Sequence, residues 1–213
     1  MQKCSCRDVL YTFVIKILMG FFFKSYRHIY YYTCVLLVEL CYNDSMYKDF
    51  TDKVFILEGP DGSGKTTLGQ KLADTHGCEY VHLTYYKDEE AMRTQFYDVI
   101  RRINTQKKGF VVDRFILSNI IYGIVFHNCK FVDGWKMFLD ALCRDWLKGK
   151  EIVICLPADK QAYLEHFKKM TEEREEMYCS VEDMSKIYDL YEVFYEMLSH
   201  NKEINVSRYD WMK

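Results

Sequence analysis

The feature that most constrains this chain is a glycine-rich segment at residues 59–66, which matches the pattern G-x-x-x-x-G-K-[S/T] in full. It follows a short apolar run at residues 54–57 and precedes a stretch with helical periodicity, the context that this motif requires. Gly62 and Gly64 let backbone N–H groups converge on an anion at the positive end of the following helix. The segment therefore predicts a phosphate-binding loop, or P-loop.

The polar side chains near this loop suit Mg-ATP. Lys65 supplies a mobile charge for the β- and γ-phosphates, and the Thr66 hydroxyl is placed to hold Mg²⁺. Asp113 ends a later apolar run at residues 110–113. A carboxylate in this position can reach Mg²⁺ directly or through water. We therefore expect ATP and Mg²⁺ to bind, with Thr66 and Asp113 at the metal. The residues expected to bind ATP are Gly59, Pro60, Asp61, Gly62, Ser63, Gly64, Lys65, Thr66 and Thr67.

Arg114 directly follows Asp113. A guanidinium group can grip a phosphate with two parallel hydrogen bonds and keeps its charge at every relevant pH. We expect Arg114 to clamp an acceptor phosphate or to stabilise the group in transfer. Phosphoryl transfer needs positioning and charge neutralisation more than covalent chemistry, so Lys65, Asp113 and Arg114 are candidate catalytic residues.

From residue 53 onwards, short apolar runs alternate with longer helical patterns, which is typical of βαβ units around a parallel sheet. We predict an α/β chain with the three-layer P-loop NTPase fold and a doubly wound parallel sheet. The predicted strands are residues 53–58, 79–83, 110–113, 151–156 and 203–206. The first predicted helix follows the glycine-rich segment and ends at His76. The other predicted helices cover about 88–105, 116–126, 134–147, 159–170 and 181–199.

Residues 1–45 differ from the rest, with ten Phe or Tyr residues, four of the nine cysteines and no proline. Their apolar runs are broken by Lys16 and Glu39, so neither reaches the roughly 18 residues of a membrane-spanning helix. They lack the alternation, caps and turns of a folding unit. A membrane-associated extension, a packing arm and an untranslated upstream segment remain open. We favour the last, with translation starting at Met46 and a kinase domain at 46–213.

The formal net charge of −2 gives no basic field that would recruit long nucleic acid. The nine cysteines are scattered without zinc-ligand spacing, which favours free thiols in a reducing compartment. These patterns predict a cytoplasmic protein that binds small nucleotides, and they do not predict membrane association.

Two motifs resemble those of the thymidylate kinase family. Residues 58–67 are similar to its P-loop, E-G-x-D-G-x-G-K-T-T, and residues 113–122 are similar to its D-R-[Y/F/H]-x-x-S-x-x-A-Y motif. The resemblance begins near residue 53 and weakens after Tyr122. It implies transfer of the γ-phosphoryl group of ATP to a deoxynucleoside monophosphate, with dTMP as the expected acceptor, by a homodimer packed through helices.

The same resemblance implies roles for individual residues. Asp61 would hydrogen-bond the 3′-hydroxyl of the acceptor sugar, and Arg114 would hold the acceptor phosphate. Asn119 and Tyr122 would line the base and sugar, with Tyr122 crowding the 2′ position; ordinary helix packing is the alternative for both. Arg174, a further candidate catalytic residue, would belong to a mobile lid over ATP, or else to a solvated charged segment.

The chain also departs from that family. Residues 82–87 replace its Phe-Pro-Arg-type segment, and a single helix is predicted before the next motif. Arg93 and Phe96 on this helix are candidates to read and stack on the acceptor base, although Phe96 also fits the apolar stripe of a core helix. The acceptor base therefore stays open. A deoxynucleoside kinase and a non-catalytic nucleotide switch are the alternative functions.

Overall fold

The computed structural model describes residues 53–84, 89–127, 147, 149–174, 179–202 and 204–213. The predictions for residues 1–45 and a start at Met46 lie outside this part of the chain, and so does nearly all of the helix expected at 134–147. The side chain of Arg174 also lies outside it.

The described residues contain five strands and five helices, which alternate except that two helices precede the last strand. The strands are β1 Val54–Glu58, β2 Glu79–His82, β3 Phe110–Asp113, β4 Glu151–Cys155 and β5 Asn205–Tyr209. The helices are α1 Lys65–His76, α2 Glu89–Thr105, α3 Ile116–His127, α4 Lys160–Arg174 and α5 Val181–Ser199. Within the described ranges, none of these helices combines the length and the apolar character needed to cross a membrane.

The strands form one parallel sheet in the order β2-β3-β1-β4-β5. Every residue of β1 and β3 is buried, as expected where helices cover both faces of a parallel sheet. The chain leaves β1 towards β2 and β3 on one side and later crosses to β4 and β5 on the other. Such a reversal opens a crevice at the carboxyl ends of the strands. The predicted doubly wound α/β fold is confirmed.

The register of the sheet brings the two motifs together. Leu57 of β1 pairs with Asp113 of β3, and both strands end at the same edge. The P-loop that follows β1 therefore lies beside the carboxylate that ends β3. Two residues more than fifty positions apart in sequence become neighbours through this one pairing.

Two element boundaries differ from the predictions. Helix α4 runs to Arg174 instead of ending near residue 170, because the Lys-, Glu- and Arg-rich sequence there favours helix. The predicted lid segment thus begins as helix. Strand β5 is Asn205–Tyr209 instead of 203–206, and it pairs on one side with β4. Its alternating polar sequence suits an edge strand and carries no continuous apolar signal.

Helix α1 packs closely on the sheet through small residues. Gly69 and Ala73 are buried on its inner face. A Cβ atom on Gly69 would lie 2.6 Å from Cε2 of Tyr80 and 3.0 Å from Cδ1 of Leu57. The helix ends where Gly77 adopts a left-handed conformation, with φ of 63°, as a C-terminal glycine cap does.

Candidate nucleotide-binding site

The P-loop backbone requires its glycines. Gly62 and Gly64 have φ of 73° and 76°, in the left-handed region that side chains disfavour. Gly59 has φ of 148°, and a Cβ atom there would overlap the carbonyl oxygen of Cys155 on β4. The first turn of α1, which is described in full, carries no acidic side chain. No carboxylate in this first turn competes with an anion for the positive end of the helix.

Lys65 lies across the loop that it follows. Its Nζ donates hydrogen bonds to the Pro60 carbonyl at 2.6 Å and to Ser63 Oγ at 3.4 Å. Burial, with the nearby Arg114, lowers the pKa of Lys65 to about 8, although Asp61 and other acids act in the opposite direction. The ammonium group is therefore held at the loop instead of extending into solvent.

Thr66 and Asp113 are in direct contact, as a shared metal site requires. The Thr66 hydroxyl donates to Asp113 Oδ2 at 2.9 Å. Burial disfavours the Asp113 carboxylate, but hydrogen bonds, chiefly from Tyr80, and the charge of Lys65 outweigh it and lower its pKa. The other oxygen, Oδ1, is buried without a hydrogen-bond partner among the described residues. An ionised carboxylate with one free oxygen beside a hydroxyl fits Mg²⁺, which takes few protein oxygens and keeps several waters.

The described residues contain no group of three or more His, Cys, Asp or Glu side chains arranged for a metal. Thr66 and Asp113 are therefore the residues that would hold Mg²⁺, with nucleotide phosphates and water completing its shell. This arrangement is ordinary for Mg²⁺ at phosphate sites and unlike a closed zinc site.

Asp61, Arg114 and Tyr122 form a second cluster beside the loop. Arg114 donates a charged hydrogen bond to the Asp61 carboxylate. Its guanidinium carbon lies 5.5 Å from the centre of the Tyr122 ring, and the Tyr122 hydroxyl accepts from the Asp61 backbone N–H at 3.0 Å. The Asp61 carbonyl also accepts from Tyr163 at 2.6 Å. Three residues assigned to the acceptor by resemblance are thus brought together.

Arg114 is held in an unusual backbone conformation. Its φ of 67° is the one positive value at a non-glycine position among the described residues. Such a conformation is unfavourable by roughly 1–3 kcal/mol and persists where the surrounding structure imposes it. Burial works against the charge of Arg114, but Asp61 outweighs it and raises the pKa of the guanidinium. A permanently charged group is thereby fixed next to Asp113.

Glu58, which the sequence reasoning did not select, holds the start of α3. Its carboxylate accepts backbone N–H bonds from Phe115, Leu117 and Ser118, at 3.0–3.1 Å, and a bond from the Ser118 hydroxyl. That hydroxyl also meets the Tyr191 hydroxyl at 2.9 Å. Burial raises the pKa of Glu58 to about 7 despite these donors. An acidic residue in an otherwise apolar strand was the signal that could have identified it.

The remaining predicted residues lie elsewhere. The Asn119 amide donates to the Phe115 carbonyl at 3.0 Å within α3. Phe96 is buried and meets the Phe115 ring edge-on at 5.2 Å, which favours its core interpretation. Arg93 is exposed on α2, and Arg174 is the last residue of α4. Of the loop residues, Ser63 is buried whereas Thr66 and Thr67 are exposed.

Thr66 and Asp113, the candidate Mg²⁺ ligands, form what we call the metal corner, and two residues of β2 also contact it at Asp113. Tyr80 donates to Asp113 Oδ2 at 2.6 Å, and His82 Nδ1 lies 3.1 Å from the same oxygen. They alternate along the strand, so they share one face. The sequence shows that alternation, but it does not show that β2 pairs with β3 so that His82 is opposite Asp113. The register was needed to find them.

The loop is covered from the C-terminal half of the domain. The Met170 methyl would lie 3.2 Å from a Cβ on Gly62, and the Trp211 ring 3.3 Å from a Cβ on Gly64. His166, one helical turn before Met170, meets the Trp211 ring at 4.6 Å. Helix α4 and the segment after β5 therefore both reach the P-loop.

Neither the protein-family models nor the curated proteins contain a match to this chain. Among solved structures, YorR from Bacillus subtilis in complex with phosphorylated GDP is similar, with a TM-score of 0.54 and 22% identity over 74% of this chain and 85% of that one. Deoxyadenosine kinase from M. mycoides with bound dATP has a TM-score of 0.50 and 14% identity, over 74% and 90% of the two chains. Together with the parallel sheet and the P-loop geometry, these likenesses show that the chain has the three-layer P-loop NTPase fold.

Proposed function

We propose that this protein transfers the γ-phosphoryl group of Mg-ATP to a deoxynucleoside monophosphate, with dTMP as the expected acceptor. The observation that carries the proposal is that the two clusters adjoin along the chain: Asp113, which contacts Thr66, and Arg114, which pairs with Asp61, are consecutive residues. A donor phosphate site and a phosphate-binding arginine are thus one residue apart. That closeness suits direct transfer between two bound phosphates better than nucleotide binding alone.

On the donor side, the P-loop N–H groups and Lys65 bind the β- and γ-phosphates and neutralise charge as it moves to the leaving oxygen. Mg²⁺, bound by Thr66 and Asp113 with the nucleotide, would supply further charge neutralisation at the same phosphates. Lys65 already lies against the loop, so little rearrangement of its ammonium group is required.

On the acceptor side, Arg114 carries the positive charge, and Asp61 neutralises it in this structure. An acceptor phosphate would compete with Asp61 for the guanidinium group. The Asp61 carboxylate would then be released towards the sugar, where it could accept a hydrogen bond from the 3′-hydroxyl. Tyr122, held by the Asp61 backbone, would limit space at the 2′ position and favour deoxyribose.

Further parts of the proposal rest on family resemblance. Arg174 at the end of α4 would contact the donor phosphates, Arg93 and Asn119 would contribute to the acceptor site, and the protein would be a cytoplasmic homodimer. The burial of Phe96 and its edge-on packing against Phe115 favour a role in the core instead of stacking on the acceptor base.

A substrate panel tests the proposal. The full chain is incubated with Mg-ATP and a set of nucleosides and nucleoside monophosphates, and ADP and phosphorylated products are quantified. We expect turnover of deoxynucleoside monophosphates, dTMP above all. Turnover of nucleosides alone would contradict the proposal in favour of a nucleoside kinase, and ATP binding without any transfer would favour a switch.

A variant pair tests the P-loop within that assay. Lys65→Ala should reduce transfer by about a thousandfold or more, the scale associated with removing a transition-state charge contact. Lys71→Ala, an exposed position on the same helix, is the matched control and should retain wild-type activity. Both variants should keep the thermal unfolding temperature close to that of the wild type. Transfer that survives in Lys65→Ala would remove the P-loop from the mechanism.

A further inference from the structure

The two oxygens of the Asp113 carboxylate have unequal surroundings. Oδ2 accepts from the Thr66 and Tyr80 hydroxyls at 2.9 and 2.6 Å, and His82 Nδ1, the third potential donor, lies 3.1 Å from it. Oδ1 is buried and has no partner within the described ranges. All protein donors thus converge on one oxygen, which fixes the carboxylate torsion and leaves the other for a ligand.

Among these three donors, Thr66 belongs to the metal site itself, and His82 is largely exposed, with 45% of its side chain accessible. A solvent-exposed imidazole can exchange its contact for water at little cost. Tyr80 makes the shortest of the three bonds, and its ring is partly buried between β2 and α1. Tyr80 is therefore the donor best placed to hold Oδ2.

The ring of Tyr80 occupies space that a glycine provides. Gly69 lies inside α1, and a Cβ there would come within 2.6 Å of Tyr80 Cε2 and 3.2 Å of Cδ2. Glycine inside a helix is unfavourable relative to alanine. Helix α1 nevertheless has glycine at the position that faces this ring. The glycine leaves space for the ring, which brings the Tyr80 hydroxyl to Asp113.

We propose that Tyr80 is a positioning residue for the metal corner, holding Asp113 Oδ2 so that Oδ1 faces the nucleotide-bound Mg²⁺ or one of its waters. Gly69 provides the room that Tyr80 needs. The inference rests on the proposed function in so far as it assumes a Mg-nucleotide at this corner. It does not depend on which acceptor is used or on whether transfer occurs.

Because Tyr80 acts through Asp113, its removal should affect the metal-dependent part of nucleotide binding and spare the rest. In the Tyr80→Phe variant, the Asp113 carboxylate would keep its charge but lose its shortest orienting hydrogen bond. ADP binding without metal depends on the P-loop N–H groups and Lys65, which Tyr80 does not contact. The ratio of ADP dissociation constants with and without Mg²⁺ therefore isolates the proposed role.

The experiment titrates ADP into the full chain by calorimetry, once in Mg²⁺ and once in EDTA. For Tyr80→Phe we expect the dissociation constant in Mg²⁺ to rise about tenfold or more, the scale of a lost hydrogen bond to a charged group. The constant in EDTA should remain within about twofold of the wild type, a change of under half a kcal/mol. An unchanged ratio of the two constants in Tyr80→Phe would overturn the proposal.

Tyr188→Phe is the matched control. The Tyr188 hydroxyl donates to the Pro157 carbonyl at 2.6 Å and also bonds to Glu192 and Arg208, so the substitution removes at least as much hydrogen bonding, away from the metal corner. It should lower the unfolding temperature about as much as Tyr80→Phe does while keeping the wild-type ratio. Equal loss of the Mg²⁺-dependent part in both variants would mean that general destabilisation, not positioning, explains the result.

Gly69→Ala provides an independent variant that keeps the tyrosine. The added methyl group displaces the ring, and we expect the same loss of Mg²⁺-dependent binding. The double variant with Tyr80→Phe should lose no more than the larger single effect, because both act through one bond. Additive losses would contradict the proposal. A wild-type protein that binds Mg-ADP but phosphorylates no acceptor would refute the proposed function and leave the role of Tyr80 standing.

Discussion

The carboxylate of Asp61, inside the P-loop, is ion-paired with the guanidinium group of Arg114 at the end of β3. Both side chains are largely withdrawn from solvent, with 9% and 25% of their surfaces accessible. Breaking such a pair without replacing the lost partner is strongly unfavourable, since it leaves a buried charge alone. A ligand that displaces Asp61 must therefore bring its own negative charge to Arg114, and a phosphate group does so.

Replacing Arg114 with lysine tests how that charge is used. Lysine keeps the charge but cannot make two parallel hydrogen bonds or lie flat near Tyr122. We expect Arg114→Lys to lower kcat/KM for the monophosphate about a hundredfold, equivalent to about 2.7 kcal/mol of transition-state stabilisation. KM for ATP should change by less than about threefold. Steady-state kinetics with each substrate varied would measure both, and an equal loss for both substrates would count against an acceptor-specific role.

The lowered pKa of Lys65 gives the activity an alkaline limit. With a pKa of about 8 in the free protein, the amine loses its proton as the pH rises from 7 to 9. We expect kcat/KM for ATP to fall about fivefold between pH 8 and pH 9. In the bound complex the phosphates favour the charged amine, so kcat should fall at higher pH. A profile of kcat/KM that stays flat to pH 9.5 would contradict this prediction.

The same pKa has the opposite effect on stability. Between the folded value near 8 and the ordinary value of 10.5, the folded state binds fewer protons than the unfolded state. The contribution of Lys65 to the free energy of unfolding therefore increases with pH in this window. The Lys65→Met variant has no ionisable group at this position, so it should be more stable than the wild type at pH 8. Because the wild type gains stability as the pH rises, this difference in the free energy of unfolding should shrink from pH 8 to pH 10. Urea denaturation at several pH values would measure this change.

Gly59 and Gly77 offer a matched comparison of backbone and contact effects. Both have positive φ, but a Cβ on Gly59 would overlap the Cys155 carbonyl, whereas a Cβ on Gly77 meets nothing within 4 Å. Gly77→Ala should therefore reduce the free energy of unfolding by about 1 kcal/mol, the strain of a left-handed residue. Gly59→Ala should reduce it by about 3 kcal/mol or more and abolish ADP binding. Equal losses would show that the contact with β4 is unimportant.

Glu58 couples stability to pH through the start of α3. Its folded pKa of about 7 lies above the ordinary 4.5, so the folded state binds more protons between these values. Its contribution to stability is therefore lost as the pH rises through 7. In Glu58→Gln, an NH₂ group replaces one of the oxygens that accept from backbone N–H groups, so donors face donors. The substitution should therefore lower the free energy of unfolding by at least about 2 kcal/mol at pH 5. The difference from the wild type should narrow by pH 8, as thermal unfolding would show.

Glu165→Gln serves as the control for that series. Glu165 is exposed on α4, where it accepts a hydrogen bond from Gln161. Its substitution should alter the unfolding temperature by a similar small amount at pH 5 and at pH 8. A difference between wild type and Glu58→Gln that stays constant across this range would refute the role assigned to Glu58.

The sequence predicted the order of elements well because local signals were strong. β1 and β3 are continuous apolar runs, and Gly77 marks the end of α1. β5 was misplaced because an edge strand needs fewer apolar residues. Its Arg208 satisfies the carbonyls of Leu156 and Pro157, a tertiary contact that no local pattern reveals.

For the candidate site, motif residues could be named in advance, but their partners could not. The contact between Thr66 and Asp113 follows from two motifs and parallel pairing. The pair of Asp61 with Arg114 and the bonds from Glu58 to the start of α3 depend on side-chain geometry after folding. Tyr80 also required the register between β2 and β3. The sequence thus identified the residues that lie in local motifs. It did not identify the residues that hold them in place in the folded protein.

The place of β1 in the sheet has a consequence for how the protein is made. β1 is synthesised first of the five described strands, yet it pairs with β3 and β4, and Gly59 packs against Cys155 almost a hundred residues later. Closing such long stretches of chain before any contact is gained slows folding. On the ribosome, the P-loop segment emerges early, but its contact with Cys155 cannot form until β4 has been synthesised. The nucleotide site is thus among the last parts of the nascent chain to assemble, and nucleotide can stabilise only a domain whose synthesis has passed β4.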